Sequence, residues 1–215
     1  MSSPPLFRNR QAAGIKLAQA VAVQAPPFPT VVYALPRGGL PVAEPVSQQL
    51  GCPLDVIVAK KITEPQNPEL ALGAVTADGQ VVWANHQHPW IVNSSLCQAA
   101  QIKAQQKAAA QLTQLAASRP PVSPTGATAI LVDDGIATGM TMAVAIQALR
   151  QQHPAAIWIC VPVAPPSLIP SLQHWADHVI VLATPDPFWS VSRFYQEFPQ
   201  VDIEEARACL LHAGV

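Results

Sequence analysis

Short apolar runs alternate along the chain with longer segments in which apolar residues recur at helical spacing. The runs long enough to form buried strands are Thr30–Leu35, Leu54–Ala59, Ile130–Val132, Ala156–Val163 and His178–Leu182. Continuous hydrophobicity is typical of strands covered on both faces, as in a parallel sheet. The pattern therefore predicts an α/β protein built on an open, mainly parallel, twisted sheet with helices on both faces.

Helical spacing is clearest in four segments. Residues Phe7–Val23, Leu40–Leu50 and Ser95–Ser118 predict three helices, and a fourth is expected to begin after Gly139. In the long alanine- and glutamine-rich helix, the apolar residues predicted to pack on the sheet are Leu96, Ala99, Ile102, Leu112 and Leu115.

The segment 61–92 departs from this alternation and predicts a flexible loop followed by a hairpin. Thr63–Pro68 is proline-rich and polar, which indicates a mobile loop. Two short β segments, Gly73–Thr76 and Val81–Ala84, flank Asp78-Gly79, which is a recognised hairpin signal. Because no low-complexity linker divides the 215 residues, we expect a single domain over 1–215.

Composition narrows the function classes. The formal net charge of −1 and the small number of lysines and arginines argue against a nucleic-acid surface. The four cysteines lie far apart without a C-x-x-C motif, as expected of reduced thiols in a cytoplasmic protein. No long apolar run at the N-terminus predicts a signal peptide or a membrane span. The expected location is therefore the cytoplasm.

The sharpest chemical feature is the stretch Ile130–Thr141. Two carboxylates, Asp133 and Asp134, follow the apolar run, and helical spacing resumes after Gly139. Unpaired amides at a helix start, together with the positive end of the helix dipole, suit a phosphate group. The carboxylates precede this cradle, where sugar hydroxyls or a hydrated cation can meet them. The stretch therefore predicts a sugar-phosphate site.

The predicted cradle consists of Gly135, Ile136, Ala137, Thr138, Gly139, Met140 and Thr141. An Asp-Asp-Gly after a strand is also common in plain turns and helix caps, but the Thr-Gly-x-Thr that follows favours phosphate binding. The loop is not a Walker loop, because the required lysine is missing. The whole run resembles the signature of the type I phosphoribosyltransferases, which bind 5-phosphoribosyl diphosphate. The resemblance implies that the acidic pair holds the ribose hydroxyls and the loop wraps the 5′-phosphate.

A second loop with anion-binding character follows the first apolar run. Pro36-Arg37-Gly38-Gly39 offers a cationic fork and then glycines whose amides can turn toward oxygen. Taken alone it could be an ordinary β–α turn, but the resemblance implies a diphosphate loop. Since both loops follow strands of a parallel sheet, we expect them to form one site near the switch in strand order. Lys60, Lys61 and the loop through Glu69 fall where the family carries its flexible catalytic loop, and a solvated loop edge is the alternative.

The similarity extends over nearly the whole chain. One branch of the family, described as predicted phosphoribosyltransferases with an unassigned base acceptor, is similar at Phe7-Arg8-x-Arg10, Ala13-Gly14, Asn67-Pro68-Glu69, Gly73-Ala74-Val75 and Pro185–Phe198. The resemblance implies that residues 185–215 form a small hood and tail over the acceptor. Phe188 and Trp189 are the candidates to present an aromatic face to a planar base, with core packing as the alternative. Ala137 stands where members that use 6-oxopurines carry an aspartate, so adenine- and uracil-type members are more similar here.

The implied enzyme is a glycosyltransferase that moves the 5-phosphoribosyl group from 5-phosphoribosyl diphosphate to a nitrogenous base. Asp133, Asp134, Arg37, Lys60 and Lys61 are the implied catalytic residues. Mg²⁺ is the implied cofactor, bound by the two aspartates through water. Two other functions stay open at this point: a regulator that binds the same donor without catalysis, and a hydrolase that uses the acidic pair.

The implied partners are the diphosphate donor and a base acceptor, without nucleic acid or membrane. A homodimer is one assembly that the sequence allows.

Overall fold

The computed structural model describes residues 5–64, 67–84 and 94–213. Its centre is a five-stranded sheet whose neighbouring strands all pair in parallel. In spatial order the strands are β2 (Leu54–Val56), β1 (Thr30–Ala34), β6 (Thr128–Val132), β7 (Ala156–Val163) and β8 (His178–Ala183). The predicted parallel sheet is confirmed, and each predicted apolar run overlaps one of its strands.

Side chains of the central strands face two separate cores, because successive residues of a strand point to opposite faces of the sheet. Val32 and Ile130 belong to one core, whereas Tyr33 and Leu131 belong to the other. The helices over the first core are α1 (Arg10–Val23), α2 (Leu40–Leu50), α3 (Ser95–Leu115) and α6 (Ile203–His212), and those over the second are α4 (Met140–Arg150) and α5 (Ile169–Trp175). Helices on both faces are thus confirmed.

A small antiparallel sheet lies beside the main one. Its strands are β3 (Ala59–Glu64), β4 (Asn67–Thr76) and β5 (Val81–Trp83), in that order. The Asp78-Gly79 hairpin is confirmed. The expected loop over Thr63–Pro68 is wrong in its described part, because β3 continues to Glu64 and β4 begins at Asn67. Register shifts after Ile62 make the pairing irregular here, which is where a strand tolerates proline.

The predicted stripe of helix α3 is confirmed at Leu115, which is buried, and at Leu112, which packs against the core, but it is wrong in the first half of the helix. Leu96 and Ile102 are 59% and 55% exposed. The buried residues are Cys97, Ala104, Ala108 and Leu115. Small side chains on this face let the helix lie close to β3 and β4, where Cys97 and Ala104 share a core with Ile62, Leu72 and Val75.

No helix in the described ranges is both long and apolar enough to cross a membrane.

The connections after β1 and β6 leave the sheet in opposite directions. Helix α2, which follows β1, covers one face, and α4, which follows β6, covers the other. The two strands pair from Thr30 with Thr128 to Ala34 with Val132, and the Leu35 amide then donates to the Val132 carbonyl at 3.0 Å. Diverging connections open a crevice at the carboxyl ends of the strands. The two loops singled out in the sequence line this crevice.

Candidate active site

A cavity of about 320 Å³ lies at the carboxyl ends of β1 and β6. The structure brings both predicted stretches to it, although they are far apart in sequence: Pro36, Arg37 and Gly38 come from one, and Asp133, Asp134 and Thr141 from the other. The remaining lining residues are Arg10, Leu35, Ala59, Lys60, Gln111, Gln200 and Val201. Most of these side chains are polar or charged, so the cavity suits a charged ligand.

The loop after β1 approaches the acidic pair so closely that only glycine fits at two positions. A Cβ at Gly39 would lie 2.6 Å from the Leu35 carbonyl oxygen and 2.8 Å from that of Val132. A Cβ at Gly38 would overlap the Asp134 carboxylate. The peptide between Pro36 and Arg37 is cis. The glycines therefore let this loop pack directly against the end of β6.

Asp133 and Asp134 stand side by side at the end of β6, and the Asp134 amide donates to Oδ1 of Asp133 at 2.9 Å. Burial, and then the negative charge of Asp134, raise the pKa of Asp133 well above its ordinary value. Burial also raises the pKa of Asp134, although the hydrogen bond and charge of Arg10 oppose the rise. Two carboxylates whose charge is disfavoured in this way create a place for a cation or for hydroxyl donors.

Arg10 is a site residue to which the sequence analysis assigned no role. Its Nε donates to Oδ2 of Asp134 at 2.7 Å and one terminal nitrogen donates to the Pro199 carbonyl at 2.6 Å. The guanidinium also lies 3.6 Å from the centroid of the Phe198 ring. One feature could have indicated a tertiary role for Arg10. It is the first residue of α1, and a cation at the start of a helix opposes the helix dipole. An arginine in such a place is often held by a tertiary contact.

The loop between β6 and α4 presents free amides. The Ile136 amide donates to the Val163 carbonyl at 2.9 Å, and Gly139 begins the helix with a left-handed φ of 74°. Across the described ranges, the backbone amides of residues 137–142 donate to no other group. Ala137 and Thr138 are exposed. Consecutive free amides at a helix start form an anion cradle.

Lys60 and Lys61 do not share a site. Lys60 lines the cavity, and burial, followed by the charges of Arg37 and Lys107, lowers the pKa of its ammonium group. Lys61 is the next residue of β3 and points to the other face of the strand. It lines a second cavity of about 870 Å³, together with Thr138 and Met140. The side chain of Glu69 lies outside the described residues.

The aromatic candidates of the tail lie away from the carboxylates. Phe188 packs against Phe194, with ring centroids 5.0 Å apart, and Trp189 is 72% exposed. Neither lines the cavity of the acidic pair, which the tail reaches through Gln200 and Val201. A role for Phe188 or Trp189 toward an acceptor stays a prediction. A tail residue with a visible contact is Tyr195, whose hydroxyl donates to the Asp134 carbonyl at 2.6 Å.

The chain is similar to known proteins over most of its length. Residues 7–197 match the family model described as "Phosphoribosyl transferase domain". A Mycobacterium tuberculosis protein named "Putative phosphoribosyl transferase Rv0571c" is 38% identical over 210 residues, which are 95% of this chain and 46% of that protein. The chain thus spans about half the length of the curated relatives it matches.

Among solved structures, TT1426 from Thermus thermophilus superposes with a TM-score of 0.78 at 34% identity, over 95% of this chain and 97% of that one. A hypothetical protein from Neisseria gonorrhoeae with bound ppGpp shares the fold, with a TM-score of 0.50 at 14% identity over 100% of this chain and 99% of that one. The family model covers most of the chain, and the two loops of this chain meet at one cavity. The chain therefore belongs to the phosphoribosyl transferase domain family.

Proposed function

We propose that the protein is a phosphoribosyltransferase that moves the 5-phosphoribosyl group of 5-phosphoribosyl diphosphate to a ring nitrogen of a base and releases diphosphate. The observation that carries the proposal is the arrangement of charge around the crevice. The free amides of residues 137–142 follow β6, and Thr141 of this loop lines the cavity together with the cations Arg37 and Lys60 and the carboxylates of Asp133 and Asp134. A donor that carries an anionic group at each end of a ribose is complementary to this distribution of charge.

In this proposal the cradle of residues 137–142 binds the 5′-phosphate, with the Thr138 and Thr141 hydroxyls as further donors. Asp133 accepts hydrogen bonds from the ribose hydroxyls, since its carboxylate is bound only by the neighbouring amide among the described residues. Arg10 holds Asp134 in an ion pair. Asp134 therefore helps to position the two neighbouring aspartates and also adds negative charge. Binding at these points fixes the anomeric carbon relative to the incoming nitrogen, which is a large part of the catalytic task.

The reaction breaks the bond from the anomeric carbon to the diphosphate oxygen and forms a bond to the base nitrogen. The leaving oxygen gains negative charge, which Arg37 and Lys60 stabilise electrostatically. The negative charge of the acidic pair favours the positive charge that develops on the ribose. The base loses a proton, which the departing diphosphate can accept.

The side chains that could ligate a metal ion fit Mg²⁺ in part. Within the described residues, no group of three or more His, Cys, Asp and Glu side chains converges to hold a metal ion. Mg²⁺, however, is commonly bound by one or two carboxylates with water and substrate phosphates, and Asp133 and Asp134 can supply those carboxylates. Asp133 is the more available of the two, because Arg10 occupies Oδ2 of Asp134. When bound, the ion would neutralise charge on the diphosphate.

A second function is supported by one observation. The described residues that line the 320 Å³ cavity include no aromatic side chain on which a base could stack. A regulator that binds 5-phosphoribosyl diphosphate without transferring it would need only this donor site. For an enzyme, Ala137 favours acceptors of the adenine or uracil type over 6-oxopurines.

Calorimetry with 5-phosphoribosyl diphosphate, in the presence and absence of Mg²⁺, tests the donor site first. We expect binding that depends on Mg²⁺, and no binding at millimolar ligand would overturn the proposal. Labelled donor is then incubated with purines, pyrimidines and small aromatic amides. A labelled nucleotide identifies a transferase and binding without turnover identifies a regulator. Release of free phosphate from the donor would identify a hydrolase.

A further inference from the structure

Helix α3 carries a glutamine at a position where its spacing calls for an apolar residue. The buried stripe of this helix runs through Cys97, Ala104, Ala108 and Leu115. Gln111 lies three residues after Ala108 and four before Leu115, so it belongs to the same face. Its side chain lines the cavity of Asp133 and Asp134 rather than the core. The helix therefore contributes a polar group to the crevice.

The side-chain oxygen of Gln111 is buried and accepts no hydrogen bond from any residue that the structure describes. A buried polar group without a partner costs about 1–3 kcal/mol, and such groups are rare in folded proteins. Leucine, which has a similar size, would avoid this cost. A polar group kept under these conditions is expected to find its partner in a ligand.

The surroundings indicate which part of a ligand is near. Helix α3 packs on β3, the strand that carries Lys60, and both Lys60 and Arg37 line the cavity with Gln111. Lys107 lies one turn before Gln111, and its charge contributes to the lowered pKa of Lys60. The free amides of residues 137–142 belong to a different element, at the start of α4. Gln111 thus lies among the cations and not in the cradle proposed for the 5′-phosphate.

The segment that ends the helix is firmly held. Arg119, four residues beyond the helix, forms a two-pronged ion pair with Asp55 of the edge strand β2, with contacts of 2.6 and 2.8 Å. Asp55 is 2% exposed. In the last turn of the helix, the Gln114 carbonyl accepts a hydrogen bond from Arg207 at 3.0 Å. These contacts hold the last turn of α3 and the segment that follows it, so the backbone that carries Gln111 is fixed.

We propose that Gln111 binds the diphosphate end of the donor, by donating a hydrogen bond from its amide nitrogen to a phosphate oxygen. Rotation of the amide by 180° exchanges its oxygen and nitrogen without changing its shape, so the nitrogen can be the atom turned toward the cavity that Gln111 lines. The inference rests on the proposed function and assigns a further binding residue to the same site. It also explains why a glutamine interrupts the buried stripe.

The test uses two probes that divide the donor into its parts: inorganic diphosphate with Mg²⁺, and ribose 5-phosphate. Gln111→Leu should weaken binding of diphosphate by about tenfold or more, as expected for a lost hydrogen bond to a charged group. Binding of ribose 5-phosphate should change less than about twofold. Gln111→Glu should weaken diphosphate binding further, because a carboxylate would face the phosphate oxygens. The melting temperature of Gln111→Leu should equal or exceed that of the wild type.

Gln106→Leu is the matched control, because Gln106 lies on the same helix and is exposed; it should change neither binding nor melting. Unchanged diphosphate binding in Gln111→Leu, or early melting with binding intact, overturns the inference while the proposed function stands. Diphosphate binding that is retained in Gln111→Glu overturns the donor assignment, since it would mean that the residue accepts from metal-bound water. A wild-type protein that binds neither probe overturns the proposed function itself.

Discussion

Arg10 and Asp134 are 124 residues apart in the sequence, yet Nε of Arg10 lies 2.7 Å from Oδ2 of Asp134. Their side chains are only 10% and 15% exposed. The same guanidinium donates to the Pro199 carbonyl and lies over the Phe198 ring. The pair therefore joins the first helix, the acidic pair and the C-terminal tail at one point. It also gives the two aspartates different roles, since Asp133 has no such partner among the described residues.

Arg10→Met should lower the free energy of unfolding by about 3–5 kcal/mol, because removing one partner of a buried ion pair leaves an uncompensated charge. Urea denaturation near neutral pH measures the loss. Arg8→Met is the control, since the ion pair of Arg8 with Glu197 is exposed and should contribute no more than about 1 kcal/mol. Equal stability of the two variants would contradict the structural role given to Arg10.

Asp133→Asn should make the ligand-free protein more stable at neutral pH and abolish part of its pH dependence. Burial and the charge of Asp134 raise the pKa of Asp133 in the folded state above its unfolded value. The stability linked to its proton is therefore fully present below the unfolded pKa and is lost as pH rises through the folded pKa. Asparagine mimics the protonated form at every pH. Melting temperatures over about pH 4 to 8 measure the difference.

Asp177→Asn should change the stability in the opposite direction to Asp133→Asn. Hydrogen bonds from the Ile157 amide and from Arg150 lower the pKa of Asp177, despite the opposing effect of its burial. Its stabilisation is present above the unfolded pKa and is lost as pH falls through the folded pKa. Asp177→Asn should therefore reduce stability at neutral pH. If both variants shift in the same direction, the explanation for Asp133 is wrong.

Replacing Asp133 and Asp134 together by asparagine should reduce turnover or donor affinity by at least about a hundredfold. Each charge-assisted hydrogen bond to a ligand is worth about 1.5–3 kcal/mol, and two are removed. Steady-state kinetics, or calorimetry if the protein does not turn over, measures the effect. Circular dichroism should show an intact fold, because asparagine keeps the shape of the side chains, although the lost Arg10–Asp134 ion pair should lower the melting temperature. Wild-type turnover in this variant would refute the role of the pair.

Alanine at Gly38 and at Gly39 should have different consequences. At Gly39 the new Cβ meets backbone carbonyls of Leu35 and Val132, which cannot move independently, so we expect a stability loss of about 1–3 kcal/mol. At Gly38 it meets the Asp134 carboxylate, which can rotate away only by leaving Arg10. Gly38→Ala should therefore weaken donor binding by about tenfold or more, and it should also lower stability because it separates Asp134 from Arg10. Denaturation and calorimetry on both variants separate the two effects.

Phe188→Ala and Trp189→Ala test the predicted aromatic face for the acceptor. Phe188 packs against Phe194, so its removal should cost about 1–3 kcal/mol of stability, whereas the exposed Trp189 should be nearly neutral. If either side chain stacks on the base, its variant should raise the Michaelis constant for the acceptor by about tenfold. Donor affinity should not change. Unaltered acceptor kinetics in both variants would place the base elsewhere.

The strands of the main sheet and the two loops could be predicted from the amino-acid pattern alone. Continuous apolar runs such as Ala156–Val163 can be satisfied only by burial on both faces, and this local pattern predicts a parallel sheet without knowledge of any contact. The chemistry of Pro36–Gly39 and Asp133–Thr141 is also contiguous. Both loops follow strands, so their position at one edge of the sheet follows from the direction in which parallel strands run.

The other side chains that reach the crevice depend on tertiary packing. Arg10 and Gln111 belong to helices whose own residues do not indicate what lies opposite, and strand alternation separates Lys60 from Lys61. The first half of the α3 stripe was mispredicted because small residues allow closer packing than large ones, so Ala104 and Ala108 are buried while Leu96 is exposed. Local patterns report the period of an element. The partner of a side chain that is distant in sequence depends on how the elements pack, and that is fixed only when the whole chain has folded.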